Sequence, residues 1–253
     1  KELTIVQTLS TYYLGFNVQE PPFDDVKVRQ ALNMAIDKQK IVDVVYKKTI
    51  PAANTIIPSY FPGYENEDLK GYPYDPERAK ELITKSKYGD VSNFPDITLY
   101  VTGAGGAPSH LIEAVVEMLK QNLGVEVSIQ MTDWATFLMD LATGQYQMFS
   151  LGWIADYPDP YDFSDVLFHS QGEINHTGYA NPEVDRLLEE ARVEQDHERR
   201  MDLYYQAEQR ILDDAPWVPL FHDVEYWLTK PYVEGMIYPS VIIPRLKYVS
   251  ISR

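Results

Sequence analysis

The chain has 253 residues, 45% hydrophobic and 13% aromatic, enough to bury a sizeable core and too rich in both for a disordered protein. Its 38 acidic against 22 basic side chains give a formal net charge of −16, which repels phosphate backbones; nucleic acid is excluded as a partner, and cationic or zwitterionic ligands are favoured. Without cysteine it has no disulfides, thiolate metal ligands or Cys nucleophile, and no apolar run approaches the ~20 residues of a membrane helix.

In chain order, residues 3–9 and 12–17 read as two strands, so the chain begins inside an apparent strand. Asp24 or Asp25 is placed to cap a helix, because Val28, Leu32, Ala35 and Ile36 recur at helical spacing, and a second helix covers about 38–46. Residues 50–74 form a long loop whose four prolines argue for order through turns and polyproline geometry. Asp75-Pro76 starts a helix running to about Ser86. A strand at 97–102, a helix at about 108–122 ended by Gly124, a strand at 125–131, a helix from the Asp133 cap to about Thr143 and a strand at 145–151 then follow. That alternation implies an α/β fold with a parallel or mixed sheet and helices across its faces. Asn181-Pro182 opens a helix through Val193, another covers 196–212, and the tail from Trp217 is mostly extended.

The most informative stretch is Gly152-Trp153-Ile154-Ala155-Asp156-Tyr157-Pro158-Asp159-Pro160. The prolines take it out of the sheet as a stiff loop, and an aspartate between two large aromatics is suited to an ammonium group. A second reading makes Asp156 a turn stiffener and leaves Trp153 and Trp134 as ordinary core residues.

These residues resemble a family. Gly152-Trp153 followed by Asp156-Tyr157 and Pro160, with Trp134 upstream, is similar to the ligand loop of the bacterial family 5 extracellular solute-binding proteins, the oligopeptide and dipeptide receptors of ABC transporters. Two further stretches resemble them, the run from Phe16-Asn17 through Pro22-Phe23-Asp24-Asp25-Val26-Lys27-Val28-Arg29-Gln30-Ala31-Leu32 to Ala35-Ile36-Asp37, and Lys120-Gln121-Asn122-Leu123-Gly124-Val125-Glu126-Val127. The resemblance implies a non-enzymatic receptor of the type II periplasmic-binding-protein fold, of which residues 1–253 are the C-terminal lobe. The N-terminal lobe, the export signal and any membrane anchor would lie outside this chain. It further implies that Asp156 receives a peptide's α-amino group, that Trp153, Trp134 and Tyr157 line the cleft, and that Ile154 offers backbone groups to the peptide main chain. The segments near 12–17 and 218–222 sit where two lobe-crossing strands would run, and they are expected to pair antiparallel. Implied partners are a peptide or small cationic solute and the permease subunits; the protein would be a monomer in the periplasm or at the cell surface, without cofactor. A receptor for a nickel chelate or sugar, or a carboxylate-dependent hydrolase, stays open as an alternative.

Other patterns carry less. Aspartates 156, 159, 162 and 165 recur every three residues, but the prolines among them do not fit a calcium loop. The five histidines show no zinc spacing, and His169 and His176 read as surface residues. Gly103-Ala104-Gly105-Gly106 lacks a phosphate-loop lysine, and Ser109-His110 lacks a nucleophile elbow. Acidic residues from Glu183 to Glu198 read as a solvated face. Residues 140–151 contain no Lys or Arg, where many family members place cations for a ligand carboxylate.

Overall fold

The computed structural model describes residues 2–252 apart from 104–105, 173 and 242–245; the Gly103–Gly106 turn therefore lies partly outside the described residues. The first element is one strand, β1 (Leu3–Phe16), where the sequence reading expects two. The polar residues in its middle do not break it because their hydroxyls are satisfied internally. Thr8 and Ser10 share a bond of 2.8 Å, and Thr11 donates to the Ile56 carbonyl at 2.7 Å.

Helix starts follow local caps, each contributing roughly 1 kcal/mol. Asp25 accepts from the Lys27 amide at α1 (Val26–Ala35), Asp37 caps α2 (Lys38–Val44), and Asp75 with Pro76 opens α3 (Pro76–Lys85). After β2 (Ile97–Thr102), Ser109 caps α4 (His110–Leu123), which closes on Gly124 at φ 74°, a left-handed conformation that favours glycine. β3 (Val127–Thr132), α5 (Trp134–Ala142) and β4 (Met148–Ile154) complete the predicted alternation. β4 runs three residues beyond its predicted end.

α6 (Tyr161–Phe168) is absent from the sequence reading. Pro158 and Pro160 do end the strand, but a proline immediately before the first helical turn costs no helical hydrogen bond, so a helix begins at once. α7 (Pro182–Val193), α8 (His197–Asp214) and β5 (Trp217–Leu228) follow as expected; β6 (Val233–Glu234) and β7 (Ser250–Ile251) form a small separate pair.

The main sheet has the order β3-β2-β4-β1-β5. β2 is parallel to β3 and β4, whereas β1 is antiparallel to β4 and β5, so the sheet is mixed. Tyr12 faces Phe221 and Leu14 faces Val218, the antiparallel pairing expected between the segments near 12–17 and 218–222. Alternation along the strands divides the interior in two. Leu14, Phe16 and Leu99 pack with Val28, Leu32 and Val115 on one face; Tyr13 and Phe149 pack with Phe137, Phe163, Leu188 and Tyr204 on the other. Each large side chain so buried contributes roughly 1.5–3 kcal/mol. Beyond the sheet body, the outer end of β1 and the end of β5 form a two-stranded ribbon that exposes Leu3, Ile5 and Leu228.

Within the 50–74 loop, residues 56–66 converge on one buried carboxylate. Glu208, fully buried in α8, accepts from the Ile56 and Ile57 amides at 2.8 and 2.9 Å, the Tyr64 hydroxyl at 2.7 Å and the Asn66 amide at 3.3 Å. Burial pushes its carboxyl up to about 7, against the pull of those donors. On β5, buried His222 lies 2.9 Å from the Thr11 hydroxyl through Nδ1. Because that hydroxyl donates elsewhere, it accepts from the imidazole, and Nδ1 carries the proton. Burial lowers the His222 pKa to about 4, and the Lys38 charge adds to the effect.

Candidate ligand-binding site

Pairing between β1 and β4 continues to Ser10↔Ile154, and the Ala155 amide still donates to the Leu9 carbonyl at 2.8 Å. Ala155 is therefore buried, and alternation sends the next residue outward. Asp156 is exposed. The desolvated carboxylate of this segment is instead Asp162, 1% exposed in the first turn of α6.

Asp162 organises the bend. Its Oδ2 accepts from the Trp153 indole nitrogen at 2.8 Å and from the Asp156 amide at 3.3 Å. Burial raises its pKa; those two donors oppose the rise, and the charges of Asp156 and Asp159 add to it. Two further aspartates are ion-paired. Asp159 binds Arg200 through both carboxylate oxygens, at 2.7 and 2.8 Å, and Asp165 binds Arg192 at 2.7 and 3.0 Å. Burial acts to raise the Asp159 pKa, but the Arg200 hydrogen bonds and charge leave it below its ordinary value. Of the four evenly spaced aspartates, Asp156 alone has neither a side-chain hydrogen bond nor an ion pair among the described residues. It stands on a segment tied to β1, α6 and α8.

The other predicted site residues are partly gathered. Trp153 is half-buried, and Ile154 is 61% exposed. Both line a concavity of about 380 Å³ with Ser10, Thr11 and Gly152, walled by Tyr12, Tyr46 and Phe221 and rimmed by Asp223. Tyr157 is exposed beside Asp156, outside that lining. Trp134 opens α5 and is 56% exposed; its ring stacks on Phe137 at 6.2 Å rather than facing the concavity. Sequence reasoning does not find the aromatic wall, because Tyr12, Tyr46 and Phe221 are brought together only by the sheet. The single usable signal is Gly152, where a Cβ would lie 3.2 Å from the Tyr12 ring.

The remaining motifs are structural. Arg29 is buried and donates to the Phe23 carbonyl at 2.6 Å and to the Asp214 carbonyl at 2.9 Å from Nε, closing the C-terminal end of α8. His169, read as a surface residue, is 6% exposed, because α7 packs against it and sets Glu189 at 3.4 Å; His176 is half-buried. Arg186 with Glu190 and Arg210 with Glu183 form the expected solvated face. Among the described residues no group of three or more His, Cys, Asp or Glu is placed to hold a metal, and no helix is long and apolar enough to cross a membrane.

Comparison with known proteins assigns the family. A family profile described as "Bacterial extracellular solute-binding proteins, family 5 Middle" matches residues 1–175, which include β1, β4 and the whole bend. The oligopeptide-binding protein OppA of Bacillus subtilis is 31% identical over 90% of this chain and 43% of its own length. Heme-binding protein A of Haemophilus influenzae is 33% identical over 90% of this chain and 42% of its own. The solved periplasmic oligopeptide-binding protein OppAIV of Borrelia burgdorferi superposes with a TM-score of 0.86 at 26% identity, covering 100% of this chain and 50% of that one. The chain thus spans half or less of the length of these relatives. It belongs to the bacterial extracellular solute-binding proteins of family 5, a family of binding proteins rather than enzymes.

Proposed function

We propose that this chain is the C-terminal lobe of a two-lobed receptor that captures peptides outside the membrane and delivers them to an ABC permease. Asp156 receives the peptide's α-amino group, Trp153 and Tyr157 flank it, and the outer edge of β4 at Ile154 offers main-chain groups. One observation carries this reading. A carboxylate with no cation of its own among the described residues stands exposed on a bend fixed at three places. Pre-positioning spares the ligand the cost of ordering the loop. Main-chain pairing along a strand edge reads length and termini while tolerating varied side chains.

The ribbon of β1 and β5 supports the two-lobe arrangement, since Leu3, Ile5 and Leu228 on it are exposed apolar side chains that a second lobe would cover. In such receptors both lobes close on the ligand, so this chain alone binds weakly and the intact monomer binds tightly. Calorimetry of the intact receptor with short peptides tests the assignment. Asp156→Ala is expected to weaken binding by at least about tenfold, the worth of one charge-assisted hydrogen bond. Unchanged affinity would remove Asp156 from the site. The 33% identity to a heme-binding protein favours a second reading, a non-peptide solute in the same cleft. Mass spectrometry of solute retained by the intact receptor separates the two.

A further inference from the structure

The concavity beside β4 has a chemistry that recognition of an amino terminus does not use. Tyr12 stacks on Phe221 with ring centroids 5.0 Å apart, and Tyr46 leans on the same Phe221 ring at 4.8 Å. The Tyr12 hydroxyl is fixed by the Ser150 hydroxyl, which donates to it at 3.0 Å. Gly152 leaves the Tyr12 ring uncovered.

At the rim stands Asp223, exposed. Its backbone is held, because its carbonyl accepts from the Thr8 hydroxyl at 3.1 Å, and its Oδ1 accepts from the Val224 amide at 2.8 Å. Its Oδ2 makes no hydrogen bond, and the carboxylate makes no ion pair, among the described residues. Among the described residues, no Lys, Arg or His lines the concavity. The site therefore presents an aromatic wall and one uncompensated negative charge, on a chain whose net charge is already −16.

We propose that this concavity is the subsite for a basic side chain, lysine or arginine, of a captured peptide; the inference rests on the peptide reading above. The methylene stem lies along the rings of Tyr12, Tyr46 and Phe221, and the charged head meets Asp223. Basic side chains cover apolar surface with their stems while keeping the head polar, and aromatic faces attract cations. A purely apolar side chain would fill the wall and leave Asp223 without a partner.

The test is titration calorimetry of the full-length receptor carrying this chain. The probes are tripeptides in which each position in turn is lysine, norleucine or glutamate. At one position lysine is expected to bind on the order of tenfold more tightly than norleucine, with glutamate weakest. Asp223→Asn keeps the contact to Val224, so folding is not at stake. It is expected to bring the lysine and norleucine peptides to within about twofold of each other without weakening the norleucine peptide. Tyr46→Leu is expected to weaken the lysine peptide more than the norleucine peptide. Equal affinity for lysine and norleucine at every position overturns the subsite, as does a lysine preference that survives Asp223→Asn. Peptides bound without charge preference sink this inference alone, whereas no binding of any peptide sinks the peptide reading with it.

Discussion

The bend at 155–160 and the loop at 50–74 are both irregular, both rich in proline and both anchored by acidic side chains, yet they use those acids in opposite ways. At the bend, Asp159 and Asp165 each pair with an arginine at a partly exposed position, Asp162 accepts from an indole and an amide, and Asp156 is left over. In the loop, a single fully buried carboxylate, Glu208, collects four donors and meets no cation among the described residues. A distributed set of anchors leaves a group free to act on something else. A central one is consumed by holding the chain in place. Density of acidic residues therefore does not reveal which carboxylate the fold consumes; at the bend, Asp156 alone of the four evenly spaced aspartates stays without a side-chain partner among the described residues.

The sharpest test of this contrast is removal of the central anchor. Glu208→Ala strands two amides, a hydroxyl and a carboxamide in the interior and is expected to lower unfolding free energy by about 4 kcal/mol in urea denaturation. A loss under about 1 kcal/mol would show that the loop is ordered by other means.

Acid titration of stability probes the same anchor through its charge. The Glu208 pKa is raised from 4.5 to about 7, so between those values the folded state holds more protons and stability rises as pH falls. The His222 pKa is lowered from 6.5 to about 4, so the unfolded state holds more protons in that window and stability falls as pH falls. Over the shared range the two oppose each other. Glu208→Gln, which keeps the shape, is expected to expose the histidine's effect, losing about 3 kcal/mol more than the parent between pH 6.5 and 4. His222→Gln should shift the balance the other way, gaining stability relative to the parent over that interval. Identical pH profiles for parent and variants would show that neither group is titrating in the folded interior.

The smallest effect is expected at the bend. Arg200→Ala removes one partly exposed bidentate pair and should cost about 1 kcal/mol by the same denaturation measurement. A cost equal to that of Glu208→Ala would erase the difference between distributed and central anchoring.

Much of the architecture is readable locally. Asp25, Asp75, Asp133 and Asn181 announce their helices because a cap depends on only three or four neighbouring residues. The alternation that gives the mixed sheet is equally local. What escapes is whatever distant residues decide. β1 is continuous because Thr11 finds the Ile56 carbonyl, and Glu208 differs from the solvated acids of α7 only because residues 56–66 fold over it. α6 escapes for a different reason: proline is a stop for a strand and an accepted start for a helix, and the same two residues serve both. At the candidate site, the motif locates the bend and the aspartate that has no ion pair among the described residues. Which side chains face the concavity follows from pairing between β1, β4 and β5, and no spacing along the chain encodes it.

The ladder between β1 and β5 slips register once between Gln7 and Thr11 and again between Tyr12 and Tyr13. The first slip separates the outward ribbon from the body of the sheet, and the two residues just inside it, Ser10 and Thr11, are the same ones that line the concavity. Register slip and socket thus share one stretch of backbone, and a distortion of the concavity at Ser10 or Thr11 bears directly on the rungs next to the slip.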